Sequence, residues 1–313
     1  DGVWSPETGH DPFLPLALAA EHTSTLELGT GIAVAFARNP MNLAMLANDL
    51  QGYARGRFIL GLGSQIKAHI EKRFSMPWSH PAPRMRELIL AMRAIWDCWH
   101  NGTKLSFRGD YYSHTLMTPF FSPGPNPYGP PKVFLAAVGP VMTEVAGEVA
   151  DGMLVHGFTT ERYLREVSLP ALDRGLAKAG RTRGQVQVSY SGFVVTGSTE
   201  AEMEEAARGV KAQIAFYGST PAYRPVLELH GWGDLQSELN ALSKRGEWTR
   251  MGELIDDEML RTFAVVCAPE DVPARVKERF GDVVDRFSFY APYQAEPERW
   301  RSVLAGFRAQ GRS

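Results

Sequence analysis

Four short stretches of this sequence hold residue types and spacings that can do chemistry. The segment SPETGHDPF, positions 5–13, brings Glu7, His10 and Asp11 into one loop. A carboxylate beside an imidazole can move a proton or bind the polar edge of a cofactor. The plainer alternative has Asp11 capping a helix from Pro12 and His10 solvated. In Gly61-Leu62-Gly63-Ser64 the glycines let backbone N–H groups approach a phosphate. Ile66 stands where the third glycine of a dinucleotide fingerprint belongs, so a tight turn is the alternative. Gly29-Thr30-Gly31-Ile32 sits late in an apolar strand. Glycines there mark a bulge, a bend or a close approach by a ligand. Ala136-Ala137-Val138-Gly139-Pro140 ends a strand and opens a helix. Its first free N–H groups attract anions, unless the turn serves only strand–helix packing.

Other reactive groups read as structural. Glu148 and Asp151 in AGEVADG end a helix before a strand, where a carboxylate fixes a loop. Cys98 and Cys267 sit among apolar neighbours and read as buried, inert thiols. His22, His69, His80, His100, His114, His156 and His230 have no metal-ligand spacing, and H-E-x-x-H is absent, so no metal is expected. The G-x-S-x-G elbow of serine hydrolases is also missing.

The elements that must position these groups alternate. Apolar runs at Gly2–Trp4, Leu26–Val34, Arg57–Gly63, Val133–Val138, Met153–His156, Val186–Thr196 and Arg286–Tyr290 read as strands. Several show little polar alternation, as parallel strands covered on both faces do. Helical spacing recurs between them. Met85, Leu88, Ile89, Met92, Ile95, Trp96 and Trp99 form one face, with Arg84, Arg86, Glu87, Arg93 and Asp97 on others. Asn39-Pro40 caps a helix burying Leu43, Leu46, Ala47 and Leu50. Thr199 and Glu202 form a capping box, Gly180 closes a helix, and Pro297 opens one with Trp300, Val303, Leu304 and Phe307 inward. The pattern predicts an α/β fold, either a (β/α)8 barrel or a doubly wound sheet. Insertions fall at about 65–83, 113–131 and 218–256. Phe120, Phe121, Tyr223 and Trp232 there, with Tyr217 just before, either line an aromatic substrate pocket or pack the insertions.

Composition limits the function. The chain has 313 residues, with Lys+Arg 33 against Asp+Glu 35 and a formal net charge of −2. That balance argues against a dedicated nucleic-acid binder. The apolar runs Leu14–Ala20 and Val133–Val138 fall far short of a membrane-spanning helix.

Three segments carry a resemblance over essentially the whole chain. LELGTGIAVAFARNPMNLAMLANDLQGYARGRFILGLGSQIKAHIEKRF, KVFLAAVGPVMTEVAGEVADGMLVHGF and AFYGSTPAYRPVLELHGWGD resemble the bacterial-luciferase-like family, and within it the deazaflavin (coenzyme F420)-dependent oxidoreductases. The resemblance implies one (β/α)8 TIM barrel over 1–313, with the cofactor across its C-terminal mouth and hydride transfer at the deazaflavin C5. It implies a non-prolyl cis peptide at Gly31–Ile32 behind the ring, with Val34 along the ring. Gly63, Ser64 and Gln65, with His69 behind, would take the cofactor's side chain and phosphate. Val138, Gly139, Val141 and Met142 would bind the phosphate through N–H groups. Sugar-phosphate-oxidising relatives carry an Asp-His pair where Glu7-Thr8 stands here, and an acid where Ile66 stands. Sugar-phosphate oxidation is therefore not implied, and Glu7 and His10 are the catalytic candidates. The expected protein is a cytoplasmic homodimer acting on an unknown small organic molecule. The alternatives are an FMN-dependent monooxygenase of the same family and a flavin-binding barrel without turnover. Asp1-Gly2-Val3-Trp4 aligns with the second barrel strand, so the first strand and helix, about 25–35 residues, are expected to lie outside this chain.

Overall fold

The structure is a computed structural model that describes residues 1–310; the last three positions of the expected span 1–313 lie outside the described residues. Its strands are β1 (Gly2–Ser5), β2 (Glu27–Thr30), β3 (Ala33–Val34), β4 (Phe58–Gly63), β5 (Phe107–Arg108), β6 (Ser113–His114), β7 (Lys132–Ala137), β8 (Gly152–Val155), β9 (Gln187–Val195), β10 (Ala264–Val266) and β11 (Arg286–Tyr290). The chain divides into two compact units, Asp1–Leu154 with Ala171–Gln187, and Val155–Pro170 with the chain from Val188 on.

In the first unit the strand order is β1-β2-β4-β7-β8, with β3 also on β4. The pairs β1–β2, β2–β4, β3–β4 and β4–β7 are parallel. Central β4 is buried along its whole length, which is why it reads as an unbroken apolar run. The stretch 26–34, expected as one strand, is two. Leu28 and Gly29 face Phe58 and Ile59, whereas Ala33 and Val34 face Leu62 and Gly63. Thr30, Gly31 and Ile32 thus oppose only Leu60 and Gly61, the extra residue of a bulge.

The helices follow their caps. Asn39 Oδ1 accepts the Asn42 N–H at 3.0 Å and starts helix Pro40–Tyr53. Helix Pro81–Asn101 buries all the expected apolar face from Met85 to Trp99. Arg84 corrects the expected pattern, because it is buried too. Its Nε donates to Tyr112 Oη at 3.0 Å, its Nη1 donates to the Pro77 carbonyl at 2.7 Å, and its guanidinium lies 4.7 Å over the Phe36 ring. Asp151 holds a loop, accepting from Val133 N–H at 2.8 Å and Arg93 at 3.0 Å. Asp11 Oδ1 accepts from the N–H groups of Phe13 and Leu14, and the helix begins at Leu14 rather than Pro12.

In the second unit β9 pairs in parallel with β10 and with β11. The Thr199–Glu202 capping box opens helix Glu200–Gly218, whose Ala206, Val210 and Ile214 enter the core with Phe158, Phe193 and Phe263. Leu304 was expected inward and is 44% exposed, while Val303 beside it is buried. Cys267 is only half-buried, not enclosed. The α/β fold is the expected one. β10 and the antiparallel β5–β6 hairpin were missed, because runs this short show no period. Among the described residues no helix is long and apolar enough to cross a membrane.

Candidate functional site

Parallel neighbours end on the same edge of a sheet. In the first unit that edge gathers the segments after β1, β2–β3, β4 and β7, which contain the sequence-derived candidates. The Gly31–Ile32 peptide is cis. The strands around it are tied by Gly31 N–H to the Ser5 carbonyl at 2.9 Å and Glu7 N–H to the Ile32 carbonyl at 3.1 Å. Where the bulge breaks the ladder, Thr30 repairs it. Its hydroxyl donates to the Gly61 carbonyl at 2.7 Å and accepts the Gly61 N–H at 2.9 Å, fully buried. A side chain at Gly61 would put Cβ 1.8 Å from the Thr30 carbonyl oxygen. Gly63 likewise leaves room for Ile32, whose Cδ1 would lie 2.7 Å from a Cβ there.

Glu7, expected to transfer protons, is committed to structure through one oxygen. Its Oε2 accepts from Val34 N–H and from Arg38 Nη1, each at 2.7 Å. The pair is shielded, with side-chain exposures of 7% for Glu7 and 19% for Arg38. His10 is exposed on the same loop. Val34 is fully buried, so its role in this segment runs through its backbone. Ser64 and Gln65 continue β4, with Gln65 at φ 60°, and His69 lies exposed on helix Lys67–Lys72.

After β7, Gly139 is the N-cap of helix Pro140–Val149. A Cβ on Gly139 would meet nothing within 4 Å. The N–H groups of Val141 and Met142 have no acceptor among the described residues. Leu62 pairs with Leu135, so this turn follows the strand next to the one that ends in Gly63-Ser64-Gln65. Open donors at a helix start beside a glycine turn fit the phosphate of a nucleotide-like cofactor. Among the described residues no cluster of His, Cys, Asp or Glu is placed to hold a metal ion.

The second unit contains a cluster that sequence reasoning did not assemble. His156 directly follows β8, and its ring stacks on Tyr223 at 4.8 Å and meets Tyr217 edge-on at 4.7 Å. His156 Nδ1 accepts the Phe158 N–H at 3.0 Å, and its Nε2 lies 3.3 Å from Tyr223 Oη. Tyr217 and Tyr290 share a hydrogen bond of 2.7 Å, and Tyr290 stacks on Phe193. Burial pushes the His156 imidazole down to about 4, so it is neutral at pH 7. Burial, with Tyr217 nearby, pushes Tyr223 up to about 12, and burial also raises Tyr217 and Tyr290. The rule that singled out Glu7, a polar residue just past a strand end, would have singled out His156. Of the aromatic residues proposed for a pocket, Tyr217 and Tyr223 meet here. Trp232 stacks on His230 instead, and Phe120 and Phe121 are exposed at 89% and 73%.

A parallel α/β sheet with a bulge at Thr30–Ile32 and open turns after the neighbouring strands is the frame of a barrel-type α/β protein, and the chain belongs to the luciferase-like monooxygenase family, whose model matches residues 1–286. It is 61% identical over 286 residues to an uncharacterized protein of Mycobacterium tuberculosis, covering 91% of this chain and 84% of that one. It is 28% identical over 271 residues to the 5,10-methylenetetrahydromethanopterin reductase of Archaeoglobus fulgidus, covering 84% of this chain and 76% of that one. The coenzyme F420-dependent tetrahydromethanopterin reductase structure from Methanopyrus kandleri superposes with a TM-score of 0.78 at 22% identity, over 98% of this chain and 89% of that one. The fold is therefore the luciferase-like barrel type.

Proposed function

We propose that this protein is an F420-dependent oxidoreductase that transfers a hydride between the deazaflavin C5 and a small organic substrate. The observation that carries the proposal is the pair of neighbouring turns, Gly63-Ser64-Gln65 and Val138–Met142, with free N–H groups at Val141 and Met142 and open space at Gly139. Such an edge suits a phosphate-bearing, flat cofactor, and the 30% identity over 191 residues to the F420-dependent glucose-6-phosphate dehydrogenase of Intrasporangium calvum supports the deazaflavin reading. When bound, the deazaflavin supplies two-electron hydride chemistry. This chain's residues hold and orient it. The bound ring would be backed by Ile32, whose side chain Gly63 accommodates, and Gln65 and His69 would hold the tail. Glu7 fixes the segment through Val34 N–H and Arg38, as a positioning residue, and exposed His10 is the remaining proton-transfer candidate.

Titration of the purified protein with F420 and with FMN, followed by protein fluorescence, tests the reading. F420 is expected to bind, and tight FMN binding without F420 binding overturns it in favour of the monooxygenase that the family's name describes. Glu7→Gln keeps one acceptor for Val34 but loses the charge pair with Arg38. Cofactor affinity should fall about tenfold while turnover of the loaded enzyme stays within about threefold. Lost turnover with intact binding would return Glu7 to an acid–base role.

A further inference from the structure

The protons of the cluster after β8 can be counted. The Phe158 N–H occupies His156 Nδ1, so the neutral ring carries its single proton on Nε2. That N–H points to Tyr223 Oη, which accepts it and keeps its own O–H proton unspent. Tyr217 and Tyr290 hold two phenol protons between them, and their mutual bond uses one. No further hydrogen-bond partner for these three hydroxyls occurs among the described residues. All four rings are partly accessible. The cluster therefore offers two uncommitted phenol O–H donors among packed aromatic rings, with no charge among its members at neutral pH.

We propose that the cluster of His156, Tyr217, Tyr223 and Tyr290 is a recognition site for a planar, uncharged carbonyl compound, such as an aryl ketone or an unsaturated ketone. Tyr223 donates to the carbonyl oxygen and the rings cover the flat faces. His156 acts through Tyr223 as a positioning residue, since its Nε2–H fills one lone pair of Tyr223 and leaves the hydroxyl proton for the ligand. A fully ionised ligand is disfavoured, because no cation stands in the cluster to pair with it.

The test uses matched probes that differ in the acceptor alone, acetophenone against ethylbenzene and cyclohex-2-enone against cyclohexene. Binding to the whole protein without cofactor is followed by calorimetry. Each ketone is expected to bind roughly fivefold to tenfold more tightly than its hydrocarbon, the worth of one buried neutral hydrogen bond. Tyr223→Phe keeps the ring and should erase that preference. The carbonyl stretching band of bound acetophenone should lie at lower frequency in the wild type than in Tyr223→Phe. Thermal melts of Tyr223→Phe and Tyr290→Phe check folding, and a folded Tyr290→Phe, which leaves Tyr223 intact and frees the Tyr217 proton, should keep the preference. Equal binding of ketone and hydrocarbon, or a preference that survives intact in folded Tyr223→Phe, overturns the proposal. A separate F420 titration of the wild type reports on the proposed function alone, so the two readings fail independently.

Discussion

In the first unit the edge beside Gly31–Ile32 is made of backbone. Carbonyls and N–H groups of Ser5, Glu7, Ile32 and Gly61 close it, with the small Thr30 hydroxyl filling the one break in the ladder. In the second unit the end of β8 is made of rings: His156, Tyr217, Tyr223 and Tyr290, drawn from segments far apart in the chain. The backbone edge has no space for an added atom, since Gly61 faces a carbonyl oxygen that cannot turn aside. The ring cluster is set by side-chain hydrogen bonds, so it should tolerate changes that keep ring shape and respond to changes in protons. A surface made of main chain is shape-critical; one made of phenols and an imidazole is proton-critical.

Substitution can break that contrast from its strongest side. Gly61→Ala is expected to give the largest effect, more than about 3 kcal/mol of lost stability, because backbone must move to admit the methyl group. Chemical denaturation measures it, and a Gly61→Ala protein as stable as wild type would mean that the edge is pliable after all. Thr30→Val comes next. It removes the hydroxyl that satisfies both polar groups of Gly61 in a fully buried place, at a cost of about 2 kcal/mol. Thr30→Ser keeps the hydroxyl and should recover most of that loss, and if serine is no better than valine the hydroxyl is not what bridges the bulge.

The same contrast explains what could be read in advance. The α/β alternation, the Asn39 and Thr199 caps and the buried face of helix Pro81–Asn101 are local patterns, and each was legible. The backbone edge was legible too, because glycines at 29, 31, 61 and 63 advertise close approach. Its fastenings were not. Nothing in the spacing of Glu7 and Arg38 announces that they pair, and Thr30 looks like any strand threonine. Arg84 was placed off the apolar face, and its burial could not be foreseen because helical periodicity says nothing about Tyr112 and Pro77 waiting outside the helix. The ring cluster was least legible. Tyr217 and Tyr223 were noticed as aromatic residues, but their link to His156 and Tyr290 depends on tertiary placement.

The smallest effect sharpens the contrast from the other side, through pH. His156 is held near 4 in the folded protein against an ordinary value of 6.5. Between those two values the unfolded chain binds a proton at this position and the folded chain does not. Stability from the neutral ring is therefore fully present above about pH 6.5 and is lost as pH falls toward 4. Burial lowers His114 and His230 as well, so acidification weakens the fold with the same sign at all three. The difference between wild type and His156→Gln isolates this residue. Denaturation midpoints at neutral pH and at about pH 4.5 should fall further for the wild type than for His156→Gln. Amide protection factors, corrected for the intrinsic rate at each pH, should fall on acidification around 217–223, which packs on His156, and not at Gly61 or Val34, whose partners in the bulge include no imidazole. Equal acid sensitivity of both proteins would show that the imidazole is free to ionise in place. The tautomer that leaves Tyr223 its proton would then have no structural basis.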